Sequence, residues 1–155
     1  MVGISDAKVS SDERDELVTY SLGSCIAVTL YDAQARVGGL LHYQLPSSED
    51  DPARARERPL MFGDTGAAAL IEAMTSRGAL KNRMQVKMAG AAQMLNDATA
   101  FDIGRRNHAA IRKVFWELGM FIDAEHVGGT KPRTMRLNVA DGAVTVKCDA
   151  ETFIL

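Results

Sequence analysis

A chain of 155 residues, 46% hydrophobic and 25% charged, fits one domain and can bury a core without disulfides or metals. A formal net charge of −2 removes any general electrostatic case for binding nucleic acid or an anionic membrane. Two cysteines make no disulfide framework, and with three histidines scattered along the chain they form no zinc-ligand spacing. The start, MVGISDAKVSSDERDEL, lacks the basic end and apolar core of a signal peptide, and no apolar run approaches the length of a membrane span. The expectation is a cytoplasmic protein in a reducing compartment, without cofactor and without membrane insertion.

Residues 1–16 read as a partly ordered N-terminal arm or lead-in strand, with SSDERDE exposed, and 17–155 as the domain proper. From Thr19 to Pro46 the pattern is two strands joined by a turn. Ile26, Val28 and Leu30 alternate with smaller or more polar residues, the period-2 signal of a half-buried strand, and Val37, Gly39 and Leu41 continue it. A loop over Asp32-Ala33-Gln34-Ala35 sets Tyr31 opposite Arg36, Ile26 opposite Leu41 and Cys25 opposite His42. A bulge at Gly38-Gly39 would shift that register by one. Directly opposed side chains share a face with Cβ atoms about 4.5–5.5 Å apart, within reach of a sulfur–imidazole contact.

That pair has a chemical use. A thiolate is a nucleophile, and an imidazole beside it can take the proton and return it to a leaving group. Gly23-Ser24 before the cysteine permits a tight turn whose backbone N–H groups are free to hold an oxyanion, and the Thr19 hydroxyl can orient the imidazole. An ion pair of Cys25 with His42 predicts a thiolate population near neutral pH and labelling of Cys25 ahead of Cys148. The bland alternative is that Cys25 is a small buried hydrophobe.

Farther on, SSEDDPARARERP (47–59) is a solvated loop, either a mobile lip near the Cys/His pair or a charged loop without a role. Asp64 or Thr65 caps a helix over 64–77 with Ala67, Leu70, Ile71 and Met74 on its stripe, and Gly78 stops it. Met84, Val86 and Met88 predict a strand ending at Gly90. Gln93, Asn96 and Asn107 are candidate polar lining, with solvent-facing amides as the default. A second helix runs from near Gly104 to Leu118 with Ile111, Val114, Phe115 and Leu118 on one side. Residues 120–127 form a strand, and TMRLNVA and AVTVKC a hairpin around Asp141-Gly142 as a type I′ turn. Cys148, His108 and His126 are assigned packing or surface roles.

The run TYSLGSCIAVTLYD…RVGGLLHYQLP resembles the signature of the CheD family, the chemoreceptor glutamine deamidases of bacterial chemotaxis. The matching positions are Thr19, Leu22 to Cys25, Tyr31-Asp32, Val37 to Gly39, His42 and Leu45-Pro46, and the likeness extends over roughly Leu17 to Lys147. It implies Cys25 as nucleophile, His42 as general base and acid, and Thr19 as the residue orienting His42. It also implies chemoreceptor cytoplasmic domains as substrate and a CheC-type phosphatase as partner. The expected fold is α+β: a single-domain, mostly antiparallel β-sandwich of about seven strands with two main packed helices. Two other readings stay open: an adaptor that binds CheC and receptors, and a receptor methylesterase using the same pair.

Overall fold

Alternating apolar residues place Ile26–Asp32 (β3) and Val37–Tyr43 (β4) side by side as an antiparallel pair at the middle of a sheet. The computed structural model describes residues 1–94 and 102–155. The first sheet has the order β1-β4-β3-β5-β6, with Asp6–Ser10 as β1, Gln85–Gly90 as β5 and Ile122–Val127 as β6. The second has the order β2-β7-β8-β9, built from Glu16–Leu22, Arg133–Asn138, Val144–Cys148 and Glu151–Ile154. Every strand pair is antiparallel except β5 with β6. That parallel pair needs a crossover, and the helix α3 (Ile103–Glu117) lies within it.

Two cores follow from this layering. On one face of the first sheet, Ile26, Val28, Leu30 and Leu41 pack against Leu70 and Met74 of α2 (Gly63–Thr75) and Ile111 and Phe115 of α3. On the other, Ala27, Leu40 and Ala89 meet Leu17, Met135, Leu137 and Val146 of the second sheet. The strands β3 and β4 are therefore buried on both faces, not half-buried as their alternation suggests. The sequence pattern marks only the larger side chains, whereas a second sheet covers the smaller ones.

The β3–β4 register differs from the expected one by two residues. Ile26 pairs with Tyr43, Ala27 with His42 and Tyr31 with Gly38, and the ladder runs through Gly38-Gly39 without a bulge. The cause is Asp32. Its carboxylate accepts the N–H groups of Gln34 and Ala35 at 3.0 and 3.1 Å, so Asp32 ends the strand and the loop becomes Ala33–Arg36, with Arg36 at φ 54°. The same carboxylate accepts from Leu80 N–H and Arg83 Nε, both at 2.9 Å.

Other expectations are also revised. The 47–59 segment is not featureless: a 3₁₀ turn at Ser48–Asp50 precedes a short helix, α1 (Pro52–Glu57), capped by the Asp51 carboxylate. The helix α2 carries no side-chain cap at Phe62; Asp64 instead accepts from Ser48 N–H at 3.0 Å. The β7–β8 connection is no two-residue type I′ turn, because Leu137 pairs with Val144 and only Gly142 in the loop has positive φ. The additional edge strand β9 follows Cys148 through the two residues Asp149-Ala150. The N-terminal segment supplies β1 beside β4, and Val2 is buried with its N–H on Val18 O at 2.7 Å.

Asp32 is fully buried. Burial raises its pKa, but the N–H groups of Leu80, Ala35 and Gln34 and the Arg83 guanidinium outweigh that and hold it below the ordinary carboxylate value. Asp32→Ala strands several buried donors at once and is expected to cost about 3 kcal/mol, read from urea unfolding.

Candidate active site

The imidazole of His42 lies on the interior strand β4, on the face covered by the second sheet, and is 1% exposed. Thr19 of β2 reaches it from the opposite sheet, with Thr19 Oγ1 2.7 Å from His42 Nδ1. The same hydroxyl donates to Val2 O at 2.8 Å. A hydroxyl has one hydrogen, so Thr19 must accept from His42 Nδ1–H. The tautomer is thereby fixed, and His42 Nε2 carries a free lone pair. That nitrogen is buried and has no hydrogen-bond partner among the described residues.

Thr19 faces inward in step with Leu17, and a bulge follows it. Thr19 pairs with Met135 and Leu22 with Arg133, one extra residue on β2, with Ser21 at φ 57°. Thr19 and Leu22 can then both point into the inter-sheet layer, although three residues apart. The chain leaves that layer at Gly23-Ser24 and re-enters it with Cys25.

Cys25 is a free, half-buried thiol packed against the inter-sheet core. It stands two residues before Ala27, the partner of His42, and so is a diagonal rather than a direct neighbour of the histidine. An even shift of register keeps both on one face. The loop is pinned through its carbonyls: Gly23 O accepts from Ala92 N–H at 2.8 Å and Cys25 O from Ala91 N–H at 2.9 Å. Gly90, at φ 122°, lets the chains meet there, since a Cβ would overlap the Cys25 carbonyl oxygen. Among the described residues, neither Gly23 N–H nor Ser24 N–H donates in a backbone–backbone hydrogen bond outside the strands.

Electrostatics revise the expected ion pair. Burial pushes the Cys25 thiol above its ordinary value, opposed by its own backbone N–H, and burial lowers His42 to about 4. Both groups are driven toward their neutral forms, because the inter-sheet layer disfavours either charge, and no hydrogen bond joins Cys25 Sγ to His42 Nε2 among the described residues. Burial, and then the Cys25 charge, raise the Tyr43 phenol well above its usual value.

A cleft of about 240 Å³ opens beside Ser24, with Ala92, Gln93, Gly104, His108 and Gly128 among its walls. Gln93 is exposed and its N–H bonds Gly129 O at 2.8 Å; Asn96 lies outside the described residues. Asn107 is no solvent-facing amide but is completely buried, with Nδ2 2.9 Å from Ser24 O. Its position on the inner side of α3 was readable in principle from the helical period, three residues after Gly104 and four before Ile111.

His108 also lines the cleft beside Ser24. His108 Nε2 is 2.9 Å from Glu125 Oε2. Cys148 and His126 line one cleft on another part of the surface. There His126 Nδ1 accepts from Arg133 Nε at 2.7 Å and its ring stacks on Phe153. No group of three potential metal-ligating side chains is found among the described residues.

Two outcomes follow from these environments. The folded His42 has its pKa below the 6.5 of an exposed histidine, so the unfolded chain takes up the proton first. Stability is therefore full above about pH 6.5 and is lost as pH falls toward about 4. Urea unfolding across that window should show the slope, and His42→Gln should flatten it. Alkylation of Cys25 by a small reagent, followed by peptide mapping, should show a pH midpoint above that of a free cysteine; one on the acidic side would restore the ion pair.

Comparison with known proteins agrees with the resemblance. The family model described as CheD chemotactic sensory transduction matches residues 44–148, which begins just after His42. Alignments with relatives reach further. "Probable chemoreceptor glutamine deamidase CheD" of Solibacter usitatus (strain Ellin6076) is 46% identical over 142 residues, 92% of this chain and 84% of the relative. "Probable chemoreceptor glutamine deamidase CheD 1" of Syntrophus aciditrophicus (strain SB) is 48% identical over 147 residues, 95% and 92% of the two chains. "Probable chemoreceptor glutamine deamidase CheD 2" of Anaeromyxobacter dehalogenans (strain 2CP-C) is 45% identical over 146 residues, 94% and 92%. With a family match over more than half its length and such relatives along nearly all of it, the chain belongs to the CheD family.

Proposed function

We propose that this chain is a cysteine-dependent protein-glutamine deamidase that converts selected glutamines of chemoreceptor cytoplasmic domains to glutamate. The observation that carries the reading is the buried Nε2 of His42, without a partner among the described residues and held in that tautomer by Thr19 on the same face as the Cys25 thiol. The names of the relatives support the substrate class.

A glutamine side chain enters beside Ser24 and brings its carboxamide carbon to Cys25. As Sγ attacks that carbon, the thiol proton passes to His42 Nε2, so no free thiolate has to form first in the buried layer. The carbonyl oxygen becomes an oxyanion, held by the N–H groups of Gly23 and Ser24. His42 then returns the proton to nitrogen, the C–N bond breaks, and ammonia leaves a thioester on Cys25. Water attacks the thioester with His42 again as base, giving glutamate and the free thiol. Thr19 keeps Nδ1–H engaged throughout and stabilises the transient imidazolium. The reaction uses this chain's residues and water alone.

The cytoplasm as location and a CheC-type phosphatase as binding partner belong to this proposal. Binding of a purified CheC-type protein, with and without receptor fragment as competitor, tests the second.

Mass spectrometry of receptor cytoplasmic fragments before and after incubation tests the chemistry. Cys25→Ser and His42→Ala should each lower glutamine-to-glutamate conversion by about 10³-fold or more, and the double variant should be no slower than either single one. Thr19→Ala should cost roughly 10-fold. Wild-type turnover by folded Cys25→Ser would overturn the assignment. Faster cleavage of a matched methyl ester than of the amide would point to an esterase, and binding without turnover to an adaptor.

A further inference from the structure

We propose that Asn107 is a positioning residue that holds the nucleophile segment and the base segment in register with one amide group. The inference rests on the deamidase reading above for its function, but its geometry stands apart from any substrate. Asn107 Nδ2 donates one hydrogen to Ser24 O and the other to Gln44 O, each at 2.9 Å. Ser24 immediately precedes Cys25, and Gln44 follows His42 by two residues. Tyr43, between His42 and Gln44, donates its hydroxyl to Asn107 O at 2.6 Å. The orientation of the amide is unambiguous, because the flipped form would set Oδ1 against two carbonyl oxygens.

The cost of the arrangement argues for its purpose. Asn107 is completely buried, and its Oδ1 has no partner among the described residues. An orphaned buried acceptor costs about 1–3 kcal/mol, and an apolar residue on this helix face would avoid it. What the amide supplies is a link that no apolar residue provides. The carbonyls of Gly23 and Cys25 are held by backbone N–H groups of Ala92 and Ala91, whereas Ser24 O is held by this side chain. Gly104, one turn earlier, lets the start of α3 come this close, since a Cβ there would stand 2.7 Å from Ala91 O. Cys25 lies on a loop after a bulged strand and is only a diagonal neighbour of His42. Its approach to Nε2 therefore depends on where that loop is held, and small misplacements of reacting groups cost large factors in rate.

The test is a double-variant cycle on the full chain, read by alkylation of Cys25 with iodoacetamide near neutral pH, which needs no substrate. His42→Ala should slow alkylation about 10-fold or more in the wild-type background and less than about 2-fold when Asn107 is alanine. On receptor fragments, Asn107→Ala should lower kcat by roughly 10²-fold with KM changed less than about 3-fold. An Asn107→Ala protein that melts earlier but keeps the full His42 dependence of alkylation would reduce Asn107 to a packing role and overturn the proposal. Should Asn107→Ala not fold, Tyr43→Phe keeps the ring and removes only the hydroxyl tie. A partial loss of the same coupling is expected in Tyr43→Phe, and unchanged coupling there overturns the proposal as well. Coupling in alkylation without any glutamate formation would support the positioning role and count against the deamidase reading alone.

Discussion

The hydrogen bond between Thr19 and His42 joins two sheets, and the arrangement of the site depends on it. An imidazole buried in an apolar layer needs a partner for its N–H, and the strand that carries His42 has none to offer on that face. The partner comes from β2, itself fixed by a further bond from Thr19 to Val2 O. Because that hydroxyl spends its only hydrogen on Val2, it can only accept from the ring. One inter-sheet contact thus sets the tautomer, the orientation and the free lone pair of the base.

The same burial decides how the thiol is activated. In an apolar layer, separating a thiolate from an imidazolium at rest would be costly, and both groups are driven toward their neutral forms. In the proposed mechanism the proton moves while the sulfur attacks, when charge passes to a carbonyl oxygen held by backbone N–H donors. A resting thiol of this kind reacts slowly with adventitious oxidants and alkylating agents, except as far as His42 takes its proton while the sulfur attacks.

Several residues of the family signature serve the frame rather than the chemistry. Asp32 terminates β3, shapes the loop to β4 and anchors Leu80 and Arg83. Tyr31 donates to Val139 O across the sandwich at 3.1 Å and packs beside Gly142 in the β7–β8 loop. Their effect on catalysis is indirect but concrete: by fixing where the loop begins, Asp32 sets which residue of β3 stands opposite His42.

How much was legible follows from which quantities are local. Alternation fixed the strands around Cys25 and His42 and the faces they share, since a period of two survives an even shift of register. Helical spacing and the glycines after it gave α2 and α3, and the motif residues gave the family. The exact pairing was not legible, because it turned on a side-chain cap from Asp32 that moves the loop by one residue. Nor were the partners of Asn107, whose two acceptors lie about sixty and eighty residues away in sequence. Sequence by itself determined most of the elements and their faces, and it singled out Cys25, His42 and Thr19 as candidates. Only the tertiary structure decided the tautomer of His42, the neutral state of the pair and the link through Asn107, because each depends on groups brought together across the two sheets and α3.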